Sequence, residues 1–69
     1  MIKIKLCNLL GEKKITRKKL AESIDVRPNT IGNLYKGDIK KIDLDTLNKI
    51  CLFFDCEVED ILEYIKEEN

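Results

Sequence analysis

The stretch ITRKKLAESIDVRPNTIGNLYKG, residues 15–37, carries the clearest structural pattern of this 69-residue chain. Its apolar residues keep a helical spacing on both sides of one short break at Asp25. They are Leu20, Ala21, Ile24, Val26, Ile31 and Leu34. Apolar residues three and four positions apart form one face of a helix, so the stretch predicts two short helices joined by a tight turn. The pattern is that of a helix-turn-helix over residues 16–36, and a helical hairpin without a ligand is the alternative.

Residues that cap helices set the bounds of this motif. Thr16 is a good N-cap for the first helix, and Asp25 tolerates the left-handed backbone expected in the turn. Pro28 suits the start of the second helix, because its fixed φ is helical and its missing N–H needs no partner there. Gly37 is typical of the position just beyond a helix C-terminus. The second helix is therefore predicted to span residues 28–36.

Three further helices are predicted outside this stretch, which makes an all-α fold of five helices. The first covers residues 6–12. The fourth begins after Asp43, a residue suited to capping its N-terminus. Its inward stripe is predicted to be Leu44, Leu47, Ile50, Cys51 and Phe54. A short fifth helix is predicted to begin near Val58, with Ile61 and Leu62 facing inward.

Both ends of the chain alternate between apolar and polar residues with a period of two. The alternating residues are Ile2, Lys3, Ile4 and Lys5 at one end, and Leu62, Glu63, Tyr64, Ile65 and Lys66 at the other. A period of two indicates extended strands, so residues 2–5 could pair with residues 63–66 in a small antiparallel ribbon. Extended first and fifth helices are the alternative, and the sequence does not decide between them.

Length and composition limit the class of protein. A chain of 69 residues, 43% of them hydrophobic, predicts a single domain over residues 1–69 with one small core. No apolar run is long enough to span a membrane, and the amino-terminal residues do not resemble a signal peptide. The expectation is a soluble, cytoplasmic protein.

The cysteines argue against a metal site, a cofactor and an enzyme. Cys7, Cys51 and Cys56 form no CxxC motif, and the chain has no histidine, whereas a structural zinc site normally takes four Cys or His ligands. None of the cysteines has an evident base that would activate it as a nucleophile. Reduced thiols in a non-enzymatic protein are expected, and no small-molecule ligand is evident.

Charge divides the chain in two. Residues 12–41 contain nine basic and four acidic side chains, a net charge of +5, and residues 42–69 contain two lysines and nine acids, a net charge of −7. The basic half coincides with the predicted helix-turn-helix. A basic face against phosphate and an acidic back is the pattern of a DNA-binding domain. Solvated helix surfaces of both signs would give the same composition but would not explain the coincidence.

The second helix of the motif offers side chains that could read bases. Ile31 and Leu34 must face the core, which turns the intervening polar residues outward. An asparagine amide matches the donor and acceptor of the adenine edge, and Arg27, just before the helix, could reach a guanine. The predicted base-contacting residues are Arg27, Asn29, Gly32 and Asn33. Thr30, at the start of this helix, is a predicted phosphate contact rather than a base contact. The alternative for each asparagine is a solvated amide or one bonded to nearby backbone.

Residues 15–37, followed by IDLDTLNKICLFFDCEVEDILEY at 42–64, resemble the lambda-repressor-like, Cro-type helix-turn-helix family. The similarity is closest to its small single-domain bacterial and phage regulators. It implies a five-helix fold that binds a specific operator in double-stranded DNA, usually as a dimer, and regulates transcription, with repression the expected effect. By position, Arg17 stands where the family contacts phosphate, and Lys36, Lys40 and Lys41 fall in the loop that in the family runs beside the DNA backbone. With these, the predicted phosphate-contacting residues are Thr16, Arg17, Thr30, Lys36, Lys40 and Lys41. A protein-interaction module of the same fold, antitoxin-like or an anti-repressor partner, is the alternative.

Some residues depart from the family pattern. Tyr35 stands where many members have an acid that pairs with a base in the first helix, so apolar packing against Leu9 and Leu10 is expected instead. Added apolar residues late in the chain predict a dimer surface, because a contiguous apolar patch on a small protein often marks an interface. The predicted dimer residues are Leu52, Phe53, Tyr64 and Ile65.

Overall fold

The computed structural model describes residues 1–37 and 39–66. Four α-helices and a two-stranded antiparallel ribbon make up this described part of the chain. In chain order the elements are β1 (Ile2–Ile4), α1 (Leu6–Lys13), α2 (Arg17–Ile24), α3 (Pro28–Lys36), α4 (Leu44–Phe54), one 3-10 turn (Val58–Asp60) and β2 (Leu62–Tyr64). The fold is mostly helical rather than all-α, and the predicted count of five helices is wrong.

The segment predicted as a fifth helix makes only the single 3-10 turn Val58–Asp60 before it enters β2. The Ile61 carbonyl accepts a hydrogen bond from the Lys5 N–H at 2.7 Å, and the next three residues pair with β1. The backbone groups that would continue the helix are therefore hydrogen-bonded to the amino-terminal segment instead. A capping box closes the turn, in which the Glu57 N–H donates to Asp60 Oδ2 at 2.9 Å. Ile61 is fully buried, as predicted.

The terminal ribbon, one of the two structures that the alternation allowed, is confirmed. Its register pairs Ile2 with Tyr64, Lys3 with Glu63, and Ile4 with Leu62. The pairing begins one residue earlier in the second strand than predicted. Ile4 and Leu62 pack against the helical core, which explains why the register settles there. Beyond the strands, the Met1 ammonium donates to the Ile65 carbonyl at 2.7 Å and the Ile65 N–H donates to the Met1 carbonyl at 2.8 Å.

Apolar side chains from all four helices and the 3-10 region form one core. Its members are Leu6, Leu9, Leu10, Leu20, Ala21, Ile24, Ile31, Leu34, Leu47, Ile50, Phe54 and Ile61. Burying a side chain of this size contributes about 1.5–3 kcal/mol relative to leaving it exposed. Ile31 and Leu34 are the two buried residues of α3, and they determine which face of that helix meets solvent.

The prediction for Leu44 is wrong, because this side chain is 78% exposed. Leu44 is the first residue of α4 and lies on the margin of its apolar stripe, beside an open hollow that Val58 also lines. Thr46, by contrast, is buried, although the apolar pattern did not predict this. Its hydroxyl donates to Asp43 Oδ2 at 3.4 Å. Asp43 occupies the predicted N-cap position, but its side chain makes no hydrogen bond to the helix backbone.

The local structure of the helix-turn-helix is as predicted. The Thr16 hydroxyl accepts a hydrogen bond from the Lys19 N–H at 3.0 Å and caps α2. Asp25 adopts a left-handed conformation with φ 55° and ψ 51°, and Gly37 ends α3 with φ 73°. Pro28 is at the start of α3. Among the helices in the described ranges, none is long and apolar enough to cross a membrane.

Candidate nucleic-acid interface

The solvent-facing side of α3 carries the residues predicted to read bases. Because Ile31 and Leu34 anchor the opposite side, Asn29 and Asn33 are exposed, and so is Lys36 in the last turn. Arg27 is the N-cap residue, and its exposed side chain makes no capping hydrogen bond. We call Asn29, Gly32, Asn33 and Lys36 the reading face. Its members recur at helical spacing on a helix held by two fully buried side chains.

Gly32 lies at one edge of the reading face, where the protein itself gives no packing reason for a glycine. A Cβ atom built at this position would meet no heavy atom within 4 Å. Glycine in a helix interior is less favourable than alanine by about 1 kcal/mol. A missing side chain here leaves room for another molecule to approach the helix backbone closely.

A hollow of about 200 Å³ joins the reading face to the loop after α3. Thr30, Asn33 and Lys41 all line it, so one predicted base contact and two predicted phosphate contacts lie together. Thr30 is half-buried, whereas Lys41 is exposed and can reach outward. Lys40, also exposed, lies instead beside the terminal ribbon, where it lines a different hollow.

A second, larger hollow of about 450 Å³ lies where the end of α1 and the start of α2 meet α3. We call it the Arg17–Tyr35 hollow, and its lining residues are Cys7, Leu10, Gly11, Lys14, Ile15, Thr16, Arg17 and Tyr35. The Arg17 guanidinium carbon lies 4.7 Å from the centroid of the Tyr35 ring, a cation–π contact. Two of the predicted phosphate contacts, Thr16 and Arg17, are thus grouped here, apart from the Asn33 side of α3.

Tyr35 has a partner that the sequence analysis did not predict, in addition to lining a hollow with Leu10. Leu9 and Leu10 are buried in the core, and the ring of Tyr35, 41% exposed, carries the Arg17 guanidinium on its face. Apolar packing against α1 is therefore an incomplete account of this residue. Tyr35 and Lys14 line this hollow with Arg17 but are not among the predicted contact residues. One sequence signal could have indicated Tyr35, because it is an aromatic residue of α3 that lies off the apolar stripe of that helix.

The basic residues of the interface are available for an external partner. Six exposed basic side chains of this interface form no ion pair with another residue within the described ranges 1–37 and 39–66. They are Lys14, Arg17, Arg27, Lys36, Lys40 and Lys41. The Lys49–Asp45 pair of α4, with Nζ and Oδ2 3.4 Å apart, lies outside this set. Exposed cations without an ion-pair partner raise the local positive potential and attract polyanions.

The environment of Cys56 does not favour nucleophilic chemistry. Burial, followed by the neighbouring Cys51 thiol and the Asp60 carboxylate, raises the pKa of Cys56. A raised pKa favours the neutral thiol, the opposite of what a nucleophile or metal ligand needs. Across the described residues, no group of three or more His, Cys, Asp or Glu side chains could hold a metal ion.

The four predicted dimer residues differ in exposure. Leu52 is 73% exposed, and Tyr64 and Ile65 are exposed at the end of the ribbon. Phe53 is half-buried and packs edge to face on Phe54, with ring centroids 4.9 Å apart. Leu52 is therefore the clearest free apolar side chain on α4 near its C-terminal end.

Comparison with known proteins places this arrangement among DNA-binding regulators. The chain is 33% identical over 61 residues to the uncharacterized HTH-type transcriptional regulator YozG of Bacillus subtilis (strain 168), covering 88% of this chain and 73% of that protein. The crystal structure of the transcriptional regulator VanUg is similar, with a TM-score of 0.75 and 28% identity, covering 96% of this chain and 89% of that one.

A candidate DNA-binding protein from Bacteroides fragilis shares the fold, with a TM-score of 0.78 and 24% identity over 91% of this chain and all of the other. The sequence profile of the Cro/C1-type HTH DNA-binding domain matches residues 5–67, which is nearly the whole chain. The four helices, the capped turn at Asp25 and the exposed polar side of α3 agree with that match. This chain belongs to the Cro/C1-type helix-turn-helix family of DNA-binding transcriptional regulators.

Proposed function

We propose that this chain is a sequence-specific transcriptional repressor that inserts α3 into the major groove of double-stranded DNA. The observation that supports this most directly is the reading face, where Asn29 and Asn33 project from a helix fixed by two buried side chains. A planar amide can donate to and accept from the major-groove edge of adenine at once. Arg27 precedes the helix as a candidate contact to guanine.

The phosphate contacts are proposed to flank the reading face. Arg17 and Thr16 lie at the start of α2, and Lys41 and Thr30 line the hollow beside Asn33. Lys36 and Lys40 complete the set at the end of α3 and near the ribbon. Such contacts orient a helix in the groove without carrying sequence information. Repression would follow because DNA occupied by this protein cannot be bound by other proteins at the same site. A cytoplasmic location is consistent with this function.

We also propose a homodimer, at least on DNA, through the end of α4 and the ribbon. Leu52 and Tyr64 are exposed apolar or aromatic side chains that a twofold contact would cover. The contact would place two copies of α3 about one helical turn, or roughly 34–36 Å, apart on one face of the duplex. The bound site would then be an inverted repeat.

Selection of binding sites from random duplexes tests the function directly. We expect an enriched motif, and binding to it by fluorescence anisotropy should be tighter than to a scrambled duplex. Asn33→Ala should reduce that preference, whereas Asn48→Ala, an exposed amide on α4, should leave it unchanged. A wild-type chain that enriches no motif and shows no salt-sensitive binding to duplex DNA would refute the proposal and favour the protein-interaction alternative.

A further inference from the structure

We propose that Tyr35 is a positioning residue that holds the Arg17 guanidinium for its contact with a DNA backbone phosphate, and that Lys14 completes this phosphate seat in the Arg17–Tyr35 hollow. This inference rests on the proposed function. It adds Lys14 and Tyr35 to the contact surface and gives the ring of Tyr35 a defined role.

The geometry of the cation–π contact leaves Arg17 able to bind an anion. The Arg17 guanidinium carbon lies over the ring, 4.7 Å from its centroid, and a guanidinium has five N–H donors, more than one ring contact can occupy. A long arginine side chain at an exposed position ordinarily samples many rotamers, and a phosphate contact must overcome that loss of entropy. Stacking on Tyr35 restricts the side chain before DNA arrives.

The lining of the hollow favours an anion. Lys14 and Arg17 contribute two positive charges, and no Asp or Glu is among the lining residues. Lys14 follows the end of α1 in a left-handed conformation, with φ 55° and ψ 44°. The Thr16 oxygen accepts the capping hydrogen bond from Lys19, so its hydroxyl proton remains free to donate.

The position of the hollow favours the DNA backbone over a free ion. Tyr35 follows Gly32 by three residues, so it lies about 60° around α3 from Gly32, which is the edge of the reading face on that side. With α3 in the major groove, the hollow would flank the groove and meet one strand's phosphates. Its volume of about 450 Å³ and its open shape suit a phosphodiester with its attached sugars.

A double-mutant cycle on Arg17 and Tyr35 tests the coupling. Affinity for a fluorescein-labelled duplex would be measured by anisotropy over a range of salt concentrations. Tyr35→Ala removes no charge, yet it should weaken binding about two- to fivefold, the effect of an exposed cation–π contact. In the Arg17→Ala background the same substitution should have no effect. Lys14→Ala should lower the salt slope by about one unit.

Matched variants separate positioning from folding. Tyr35→Phe keeps the ring and should bind like the wild type, and Arg17→Lys keeps the charge but should weaken the coupling to Tyr35. Lys49→Ala removes a charge on α4 outside the hollow and should leave the salt slope unchanged. Thermal unfolding midpoints of all variants would show that each is folded.

Two outcomes distinguish the failures. If the wild type binds duplex DNA but Tyr35→Ala weakens binding equally with and without Arg17, or if Lys14→Ala leaves the slope unchanged, the phosphate seat is wrong and the proposed function stands. If the wild type binds no duplex at any salt concentration, the proposed function fails and the seat fails with it.

Discussion

Replacing Gly32 with alanine should make the free protein more stable and its binding to DNA weaker. A Cβ atom at Gly32 meets nothing within 4 Å in the protein, so the methyl group costs no packing energy. Alanine is a better helix former than glycine by about 1 kcal/mol. In a domain of this size, that change raises the thermal midpoint by roughly 4–8 °C.

The same methyl group would lie on the reading face, between the α3 backbone and the bases. Forcing an extra methyl group into a fitted contact typically costs about 1–3 kcal/mol. We therefore expect Gly32→Ala to lose roughly 5- to 150-fold in affinity for the selected site, which is the same range converted at about 1.4 kcal/mol per tenfold. Circular dichroism during heating and anisotropy with selected and scrambled duplexes would measure the two effects.

Asn48→Ala is the control, because Asn48 is an exposed residue of α4 outside both the reading face and the Arg17–Tyr35 hollow, and alanine is a better helix former than asparagine. It should also raise the midpoint and leave the preference for the selected duplex unchanged. If Gly32→Ala is stabilised but binds the selected site as tightly as the wild type, α3 does not approach the bases at this point. A destabilised Gly32→Ala would contradict the packing argument itself.

Three further tests address the reading face, the basic residues and the dimer. Asn29→Ala and Asn33→Ala should each lose about 1–3 kcal/mol of discrimination at particular base pairs, and unchanged site selection in both would mean that these amides read no bases. Lys36→Ala and Lys41→Ala should weaken binding to every sequence and lower the salt slope by about one unit each; a slope equal to that of the wild type would place them off the backbone. Leu52→Glu should shift sedimentation from dimer to monomer, and a wild-type chain that is monomeric at high concentration would rule out a dimer in free solution.

The helix-turn-helix was predictable because its bounds depend on local chemistry. Thr16 caps a helix through a hydrogen bond to a residue three positions away, and Pro28 and Gly37 act through their own backbone angles. Asp25 adopts a conformation that its own short side chain tolerates. Such preferences can be read without knowing what else is nearby in space.

The parts that were wrong or undecided depend on distant residues. The sequence from Val58 onward could continue as a helix, and only its pairing with β1 at the other end of the chain makes it a strand. Leu44 has the right spacing for the core, but no pattern within α4 shows that the core ends before it. The contact between Arg17 and Tyr35 likewise joins two different helices, so the residue pattern within either helix does not predict it.

The terminal ribbon has a consequence for the order in which the protein folds and opens. Its outermost hydrogen bonds join Met1 and Ile65, which are 64 positions apart, whereas α2 and α3 are neighbours joined by a short turn. Closing the longer loop costs more chain entropy, and contacts between distant residues tend to form late. The helix-turn-helix should therefore assemble before the ribbon. In the native state the ribbon's exposed hydrogen bonds should exchange first, so the two ends can part while α3 keeps its place in the core.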